Sequence, residues 1–242
     1  MFLVNVWKEY LHNFKLSLAF GMLMVFVFLF LQFNNITISS GSIFFLYGSP
    51  TNNWLILGIE AAAMLLFLAM YAVLVSLTVL AVRRTYSVVK IQYYLREMLQ
   101  KFFIKLYSFY FFLTLFFVLF AYLSVYLGIQ LWMANFIMLL VSLLFLFVPQ
   151  VVVVEEERLR HAIFSNIEFT FSHPREFLTV LITSALLLWV IPYLEFLLDQ
   201  YFLVGRFASL ILVFVFAIPF IEILKTWLYM MKFDLIKSPN SL

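Results

Sequence analysis

The stretch "WLILGIEAAAMLLFLAMYAVLVSLTVLAVRR", residues 54–84, decides the fold class of this chain. It runs from a tryptophan to a pair of arginines, and its one acidic residue is Glu60. An apolar run of about 20 residues can cross the hydrocarbon core of a bilayer as a helix. Tryptophan is enriched at the membrane–water interface, and arginine is enriched in cytoplasmic loops. The pattern therefore predicts a transmembrane helix over 54–82 whose basic end faces the cytoplasm.

The composition of the whole chain indicates the same class. Hydrophobic residues make up 66% of the 242 residues and charged residues 11%, whereas soluble domains have roughly 45–50% and about 25%. A chain with so few polar groups must expose apolar surface to lipid. The chain contains no cysteine, which excludes disulfides, thiolate metal sites and cysteine nucleophiles. The net charge of +3 does not indicate a nucleic-acid partner, because the basic residues lie beside the apolar runs.

Five further apolar runs resemble the first. We therefore predict an all-α, polytopic membrane protein with six transmembrane helices in one integral membrane domain, residues 1–242. The predicted spans are 16–33, 54–82, 106–127, 132–154, 177–194 and 207–224. The first span follows two lysines, as a signal peptide would, but no small-residue cleavage pattern follows it. We predict that it is a retained helix.

The basic residues set the predicted orientation. Of the 15 lysines and arginines, all except Arg206 fall on the side of the membrane that holds the two termini. An excess of Lys and Arg is typical of cytoplasmic loops. We therefore expect a multi-pass protein of the cell membrane with both termini in the cytoplasm.

Spacing within the chain predicts an internal repeat. Three pairs of residues are 70 positions apart: Lys105 and Arg175, Pro149 and Pro219, and Glu155 and Lys225. Each pair marks an equivalent point, namely the entry of an outbound helix, a proline in the returning helix, and the exit of that helix. The spacing predicts three parallel helical hairpins, in repeats 1–84, 85–157 and 158–232. A polar and aromatic segment precedes each hairpin, and we expect it to form a cytoplasmic interfacial helix.

The segment before the third hairpin has the clearest helical pattern. Leu159, Ile163, Ile167 and Phe171 recur every four residues and predict one apolar stripe. The opposite face then carries Arg160, Asn166 and Glu168. Pro174 cannot continue this helix, but it suits the first turn of the next one.

Residues 155–161, "EEERLRH", are the strongest candidates for chemistry. Glu157 and His161 lie four apart on one helical face, as metal ligands can, and with Glu155 they could form an enzyme site for lipid head groups. The H-E-x-x-H pattern of zinc enzymes is absent. We favour a turn whose charges pair locally, and we predict no catalytic residue, cofactor or metal. The expected local pairs are Glu155 with Arg158 and Glu156 with Arg160.

The other histidines permit a second hypothesis. His12 and His173 lie at the same predicted level as His161, so a three-histidine cluster is conceivable. We interpret all three as interfacial residues whose polar edges face water.

The interior of the predicted spans carries few polar groups. Glu60 lies near the outer interface, and Glu222 lies one turn from Lys225 at the inner edge. Asn135 and Gln150 are explained by hydrogen bonds between helices. Ion- and proton-coupled transporters usually have ionisable residues near the midplane, so the sequence indicates another function class.

The cytoplasmic segments combine basic and aromatic residues. Each basic residue beside an anionic leaflet contributes about 1 kcal/mol to lipid attraction. We predict that anionic lipid head groups bind at this face. The candidate residues are Lys90, Arg96, Lys101, Lys105, Arg158, Arg160 and Arg175.

Residues 149–174 resemble a known signature. It consists of Pro149, the run Val151–Val154, Glu155, the group Ala162, Ile163 and Ser165, and a helix restart at Pro174. The signature is similar to that of a group of bacterial and archaeal six-helix membrane proteins. The group includes the YesL-like proteins and the membrane domain attached to some glycerophosphodiester phosphodiesterases. This resemblance implies a prokaryotic helical membrane module and supplies no catalytic residues.

Three function classes follow from the sequence. We favour a non-catalytic membrane module, an accessory or organising subunit that binds lipid or partner membrane proteins. The first alternative is a carrier or channel for a neutral or apolar solute. The second is the lipid head-group enzyme at the cytoplasmic face.

Overall fold

The computed structural model describes residues 2–27, 54–86, 97, 99–202 and 205–232, and every regular element in these ranges is helical. The helices are α1 (Phe2–His12), α2 (Phe14–Phe20), α3 (Trp54–Tyr86), α4 (Ile104–Tyr126), α5 (Leu131–Leu144), α6 (Val148–Val154), α7 (Leu159–Ser172), α8 (Pro174–Phe202), α9 (Gly205–Ile211) and α10 (Ile218–Lys232). Short π-helical segments precede α4 at Leu99–Phe103 and α10 at Leu212–Ala217. The predicted all-α class is confirmed.

Five stretches of helix are long and apolar enough to cross a membrane. They are Gly58–Tyr86, Gln100–Tyr126, Trp132–Val154, Pro174–Tyr201 and Phe207–Met231. They overlap five of the six predicted spans and fit a multi-pass membrane protein.

The predicted first span begins within a bent pair of helices. Leu3–His12 and Phe14–Val27 meet at an angle of 77°, and together they pass the same test of length and composition. Residues 28–33 of this predicted span, and the loop 34–53, lie outside the described residues.

Helices α3, α6 and α10 form the centre of the molecule. Helix α3 packs against the other two, and α10 also contacts α6. The buried stripe of α3 contains Ala72, Val75, Val79 and Val82, a spacing that places these side chains on one helical face. All seven residues of α6 are buried. A helix that is apolar all round is stable only when other helices cover it.

Helices α4 and α8 lie at the periphery. Only 33% of the most apolar part of Gln100–Tyr126 is buried within the molecule, and only 11% of the same part of Pro174–Tyr201. The exposed side chains of α8 include Leu178, Ile182, Leu186 and Trp189. Lipid tails are as apolar as these side chains, so their exposure suits a membrane-embedded face.

The two prolines that are 70 residues apart lie in different local structures. Pro149 is the second residue of α6, which follows a turn at 145–147, whereas Pro219 is the second residue of α10, which continues directly from the π-helical segment. A proline is tolerated in the first turn of a helix because its missing N–H has no helical partner there. Pro149 therefore suits the restart of a helix within its apolar span, whereas the helix around Pro219 is unbroken.

Asn166 of α7 completes the break between α5 and α6. Its Oδ1 accepts a hydrogen bond from the amide of Phe147 at 2.8 Å, and its Nδ2 donates to the carbonyl of Leu144 at 2.5 Å. Our placement of Asn166 on the polar face was wrong, since its side chain is fully buried. The physical reason is the break itself, which leaves backbone groups that need partners inside the bundle.

Helix α7 is confirmed as a helix, but its buried face differs from the predicted stripe. The buried residues are Ala162, Asn166, Phe169 and Thr170, whereas Phe171 is 72% exposed. The packed face is rotated relative to the stripe that hydrophobicity alone selects, because Asn166 must face the helix break. The predicted restart at Pro174 is confirmed, since α8 begins there.

Candidate functional site: a buried polar centre and a charged helix end

A buried ion pair lies within the last apolar stretch, Phe207–Met231. Lys225 Nζ contacts Glu222 Oε1 at 2.6 Å, and both side chains are 0% exposed. Glu222 lies roughly 13 Å along the helix from Met231 at 1.5 Å per residue, nearly half the ~30 Å thickness of a hydrocarbon core. We predicted this pair at the inner edge of a span that ends at 224. The apolar helix continues past the predicted end of this span, to Met231.

Groups from two other helices and from the turn before α6 surround the carboxylate and the ammonium of this pair. Gln150 of α6 donates from Nε2 to Glu222 Oε2 at 3.0 Å, and the side chain of Tyr71 of α3 lies beside Glu222. Lys225 also donates to the carbonyl of Leu146, in the turn before α6, at 3.3 Å. Burying charges is costly unless they are paired and hydrogen-bonded. The inner helices therefore meet at one polar centre, defined here as Tyr71, Tyr110, Gln150, Glu222 and Lys225.

Some polar atoms at this centre have no partner among the described residues. They are the Tyr110 hydroxyl and Gln150 Oε1. Thr114 Oγ1, one turn from Tyr110 on α4, also lacks a partner among these residues. The ring of Tyr110 packs edge-on against Tyr71, with centroids 5.0 Å apart. The predicted interhelical hydrogen bond of Gln150 is confirmed. For Asn135 the same prediction is not met at Oδ1, which has no partner within the described part of the chain.

A second group of charges lies where α6 ends. Arg83 of α3 donates to the carbonyl of Val153 at 2.9 Å and to the carboxylate of Glu156 at 3.0 Å. Lys101 pairs with the same carboxylate. Lys105 of α4 donates to the carbonyl of Glu156 at 3.3 Å and to that of Glu157 at 2.8 Å. The five charged residues of this group are called the charged helix end below, namely Arg83, Lys101, Lys105, Glu156 and Glu157.

The backbone of Glu156 explains why this turn needs support. Its φ is 62°, in the left-handed region that L-residues with a side chain disfavour. The cationic groups of Arg83 and Lys101 hold its carboxylate, so contacts between helices stabilise the turn. Arg83 also caps the carbonyl end of α6, where the helix dipole favours a cation.

The predicted local pairing of residues 155–161 was wrong. Among the described residues, Glu156 pairs with Arg83 and Lys101 rather than Arg160, and Glu155 accepts a hydrogen bond from Tyr229 of α10 rather than pairing with Arg158. The charges of this cluster connect helices that are far apart in sequence. A single sequence contains no signal for which distant cation meets which glutamate.

The lipid-interface candidates fall into three sets. Lys90 and Arg96 lie outside the described residues, and Lys101 and Lys105 belong to the charged helix end. The side chains of Arg158, Arg160 and Arg175 are exposed. The structure therefore separates basic residues that support the turn from basic residues that face outward.

The three histidines do not share a site. His161 lies 3.4 Å from the Ser165 hydroxyl, whereas the ring of His173 stacks on Phe169 with centroids 4.8 Å apart. Within the described ranges, no group of three histidine, aspartate or glutamate side chains is arranged to hold a metal ion.

One contact at the start of the chain was missed by sequence reasoning. Glu9 of α1 is buried, and its carboxylate accepts hydrogen bonds from Asn13 Nδ2 at 2.6 Å and from the Thr85 hydroxyl at 3.0 Å. This contact ties α1 to the end of α3. The only sequence signal is a glutamate on an otherwise apolar helical face.

Comparisons of the chain with protein-family models, with curated proteins and with solved structures find no match.

Proposed function

We propose that this protein is a non-catalytic integral membrane module whose cytoplasmic face binds anionic lipid head groups. In this proposal the chain forms six spans as three hairpins in the cell membrane, with both termini in the cytoplasm. Interfacial helices such as α7 connect the spans. An accessory or organising role toward partner membrane proteins fits such a module.

The exposed face of α7 is the observation that carries the proposal. Phe164 is 64% exposed and Phe171 72% exposed, and the exposed arginines Arg158 and Arg160 lie at the start of the same helix. Arg175 follows at the start of α8 and is exposed as well. Aromatic side chains that enter the head-group region, together with arginines that reach lipid phosphates, are typical of helices in the membrane interface.

One of the carboxylates that suggested an enzyme has a structural partner. Glu155 accepts a hydrogen bond from Tyr229 of α10, and the neighbouring Glu156 is held by Arg83 and Lys101. These contacts support the turn after α6 and favour the non-catalytic module over the head-group enzyme.

The polar centre favours one alternative, a carrier for a neutral solute. Its buried hydroxyl and amide oxygen, which have no partner among the described residues, lie within two different apolar stretches, Gln100–Tyr126 and Trp132–Val154. In membrane proteins such groups often mark the route of a solute. Uptake of a neutral solute into proteoliposomes, abolished by Tyr110→Phe, would support the carrier.

Lipid retention tests the proposed function. The triple variant Arg158→Gln, Arg160→Gln, Arg175→Gln should retain several-fold less phosphatidylglycerol than the unaltered protein, because each arginine attracts the anionic leaflet. Native mass spectrometry of protein from one mixed-lipid preparation measures the retained lipid. The loss should shrink at high salt, which screens exposed charges.

A matched control separates a specific surface from total charge. The variant Lys8→Gln, Lys15→Gln, Arg84→Gln removes the same charge from exposed positions outside α7 and α8. It should retain nearly all of the lipid. Equal lipid retention by the unaltered protein and both variants would contradict the proposal. The arginines would then serve only to set the orientation of the protein in the membrane.

A further inference from the structure

The atoms without partners at the polar centre converge on one carboxylate. Gln150 is held by its Nε2 donation to Glu222, so its Oε1 lies close to the same carboxylate. Tyr110 packs on Tyr71, whose side chain lies beside Glu222. Tyr110 is 1% exposed and Gln150 0%. Two buried hydrogen-bonding atoms from α4 and α6 therefore lie around the Glu222–Lys225 pair with no partner among the described residues.

Such atoms are rare in native proteins, and a bound water is their usual partner. A buried water needs two to four polar partners. The Tyr110 hydroxyl can donate or accept, Gln150 Oε1 accepts, and the Glu222 carboxylate accepts. The charges of Glu222 and Lys225 cancel, so an added ion would have no counter-charge. The chemistry of the site selects a small neutral ligand that both donates and accepts hydrogen bonds.

A polar face of α10 connects the centre to the charged helix end. Thr226 and Tyr229 lie on the same side of α10 as Glu222, at helical spacing, and Tyr229 hydrogen-bonds to the exposed Glu155. This row covers about 10 Å at 1.5 Å per residue. In the opposite direction the centre meets buried aromatic rings, with Phe67 stacked on Tyr71 and Phe117 three residues beyond Thr114.

We propose that Tyr110 and Gln150 bind a water molecule beside the Glu222–Lys225 pair. The polar side chains of Thr226 and Tyr229 link this site to the charged helix end, and the rings of Phe67 and Phe117 lie on its other side. The polar centre is thus a hydrated site within the bundle. This inference goes beyond lipid binding and holds whether or not α7 recruits lipid.

Radiolytic footprinting tests the bound water directly. Hydroxyl radicals generated by a short X-ray pulse modify buried side chains that contact bound water. Tyr110 and Phe117 are both 1% exposed on α4, so they form a matched pair in the full-length protein. After normalisation for intrinsic reactivity, Tyr110 should be modified several-fold faster than Phe117. A rate for Tyr110 no higher than that for Phe117 would overturn the proposal.

A stability measurement tests the bound water independently, because its presence and its absence predict opposite changes in the Tm of one variant. If water bridges the site, Tyr110→Phe removes a hydrogen bond and lowers the Tm by about 2–4 °C. If the hydroxyl is buried without a partner, the same variant raises the Tm because it removes an unsatisfied group. A raised Tm overturns the proposal. Thr78→Val is the control for removal of a buried hydroxyl, since Thr78 bonds only to the Leu74 carbonyl of its own helix at 2.8 Å.

Discussion

At the scale of single residues, Glu222 and Lys225 form an ion pair in the interior of the protein. Their side chains are 0% exposed and lie 2.6 Å apart. A buried pair contributes little net stability compared with apolar residues of the same size, but breaking one partner leaves a charge that neither water nor protein solvates. The pair therefore fixes how α3, α6 and α10 meet, because only one packing supplies Tyr71, Gln150 and the Leu146 carbonyl together.

Removing one member of the pair should be far more damaging than removing both. Lys225→Met leaves the Glu222 carboxylate buried without a cation and should cost about 3–5 kcal/mol of stability. The double variant Lys225→Met, Glu222→Gln should recover most of that loss. Thermal unfolding in detergent, followed by size-exclusion chromatography, measures both. A double variant as unstable as the single one would show that the ion pair itself, and not the uncompensated charge, supplies the stability.

At the scale of elements, the protein is organised by breaks within its apolar helices. The turn at 145–147 separates α5 from α6, and Asn166 of α7 binds the freed groups on both sides of it. In a membrane, a freed backbone group must find a partner within the protein. Helix α7 is therefore anchored by the side-chain amide of Asn166 as well as by apolar contacts. This explains why its packed face differs from the apolar stripe predicted from the sequence.

Substitution of Asn166 tests this anchoring. Asn166→Leu keeps the size of the side chain but leaves the Phe147 amide and the Leu144 carbonyl without partners, at a cost of about 1–3 kcal/mol for each group. Thermal unfolding measures the loss of stability. Glu168→Ala on the exposed face of the same helix serves as the control and should change the Tm little. Equal stability of the two variants would contradict the role of Asn166.

The turn after α6 depends on the carboxylate of Glu156. Glu156→Gln weakens the contacts to Arg83 and Lys101 and should lower the Tm, by less than the loss of the fully buried pair because this cluster is partly solvent-exposed. Glu157→Gln is the matched control, since Lys105 contacts the backbone carbonyl of Glu157, which the substitution retains. The difference between the two variants should diminish in high salt. A larger decrease in Tm for Glu157→Gln than for Glu156→Gln would contradict the role of the Glu156 carboxylate in this turn.

At the scale of the whole molecule, the sequence was sufficient for the helical class and for five of the apolar spans. Length and hydropathy determine whether a helix can cross a bilayer, and both are local properties. We ended the last span at 224 because Lys225 resembles a membrane boundary, whereas the apolar helix continues to Met231. A lysine that pairs with a glutamate one turn earlier can instead lie inside the bundle.

The contacts of the candidate site could not be predicted in the same way. Arg83 and Val153 are joined by a hydrogen bond across 70 residues, and Gln150 and Glu222 across 72. Which helix faces which neighbour depends on the packing of the whole bundle, and a single sequence does not contain that information. We predicted Pro149 only as a proline within the returning helix, and nothing in the sequence indicated a break before it that Asn166 would complete.

The central claim is that the molecule is a multi-pass membrane module with its charged helix end in the cytoplasm. The chain has no cysteine, so single cysteines can report the exposed side of each connection. Leu127 follows α4 and Ser172 ends α7, and both are exposed. With an impermeant thiol reagent, Leu127→Cys should be labelled in intact cells, whereas Ser172→Cys and Ser238→Cys should be labelled only after the membrane is opened. Labelling of Ser172→Cys in intact cells, with Leu127→Cys protected, would contradict the orientation and the lipid-binding face that depends on it.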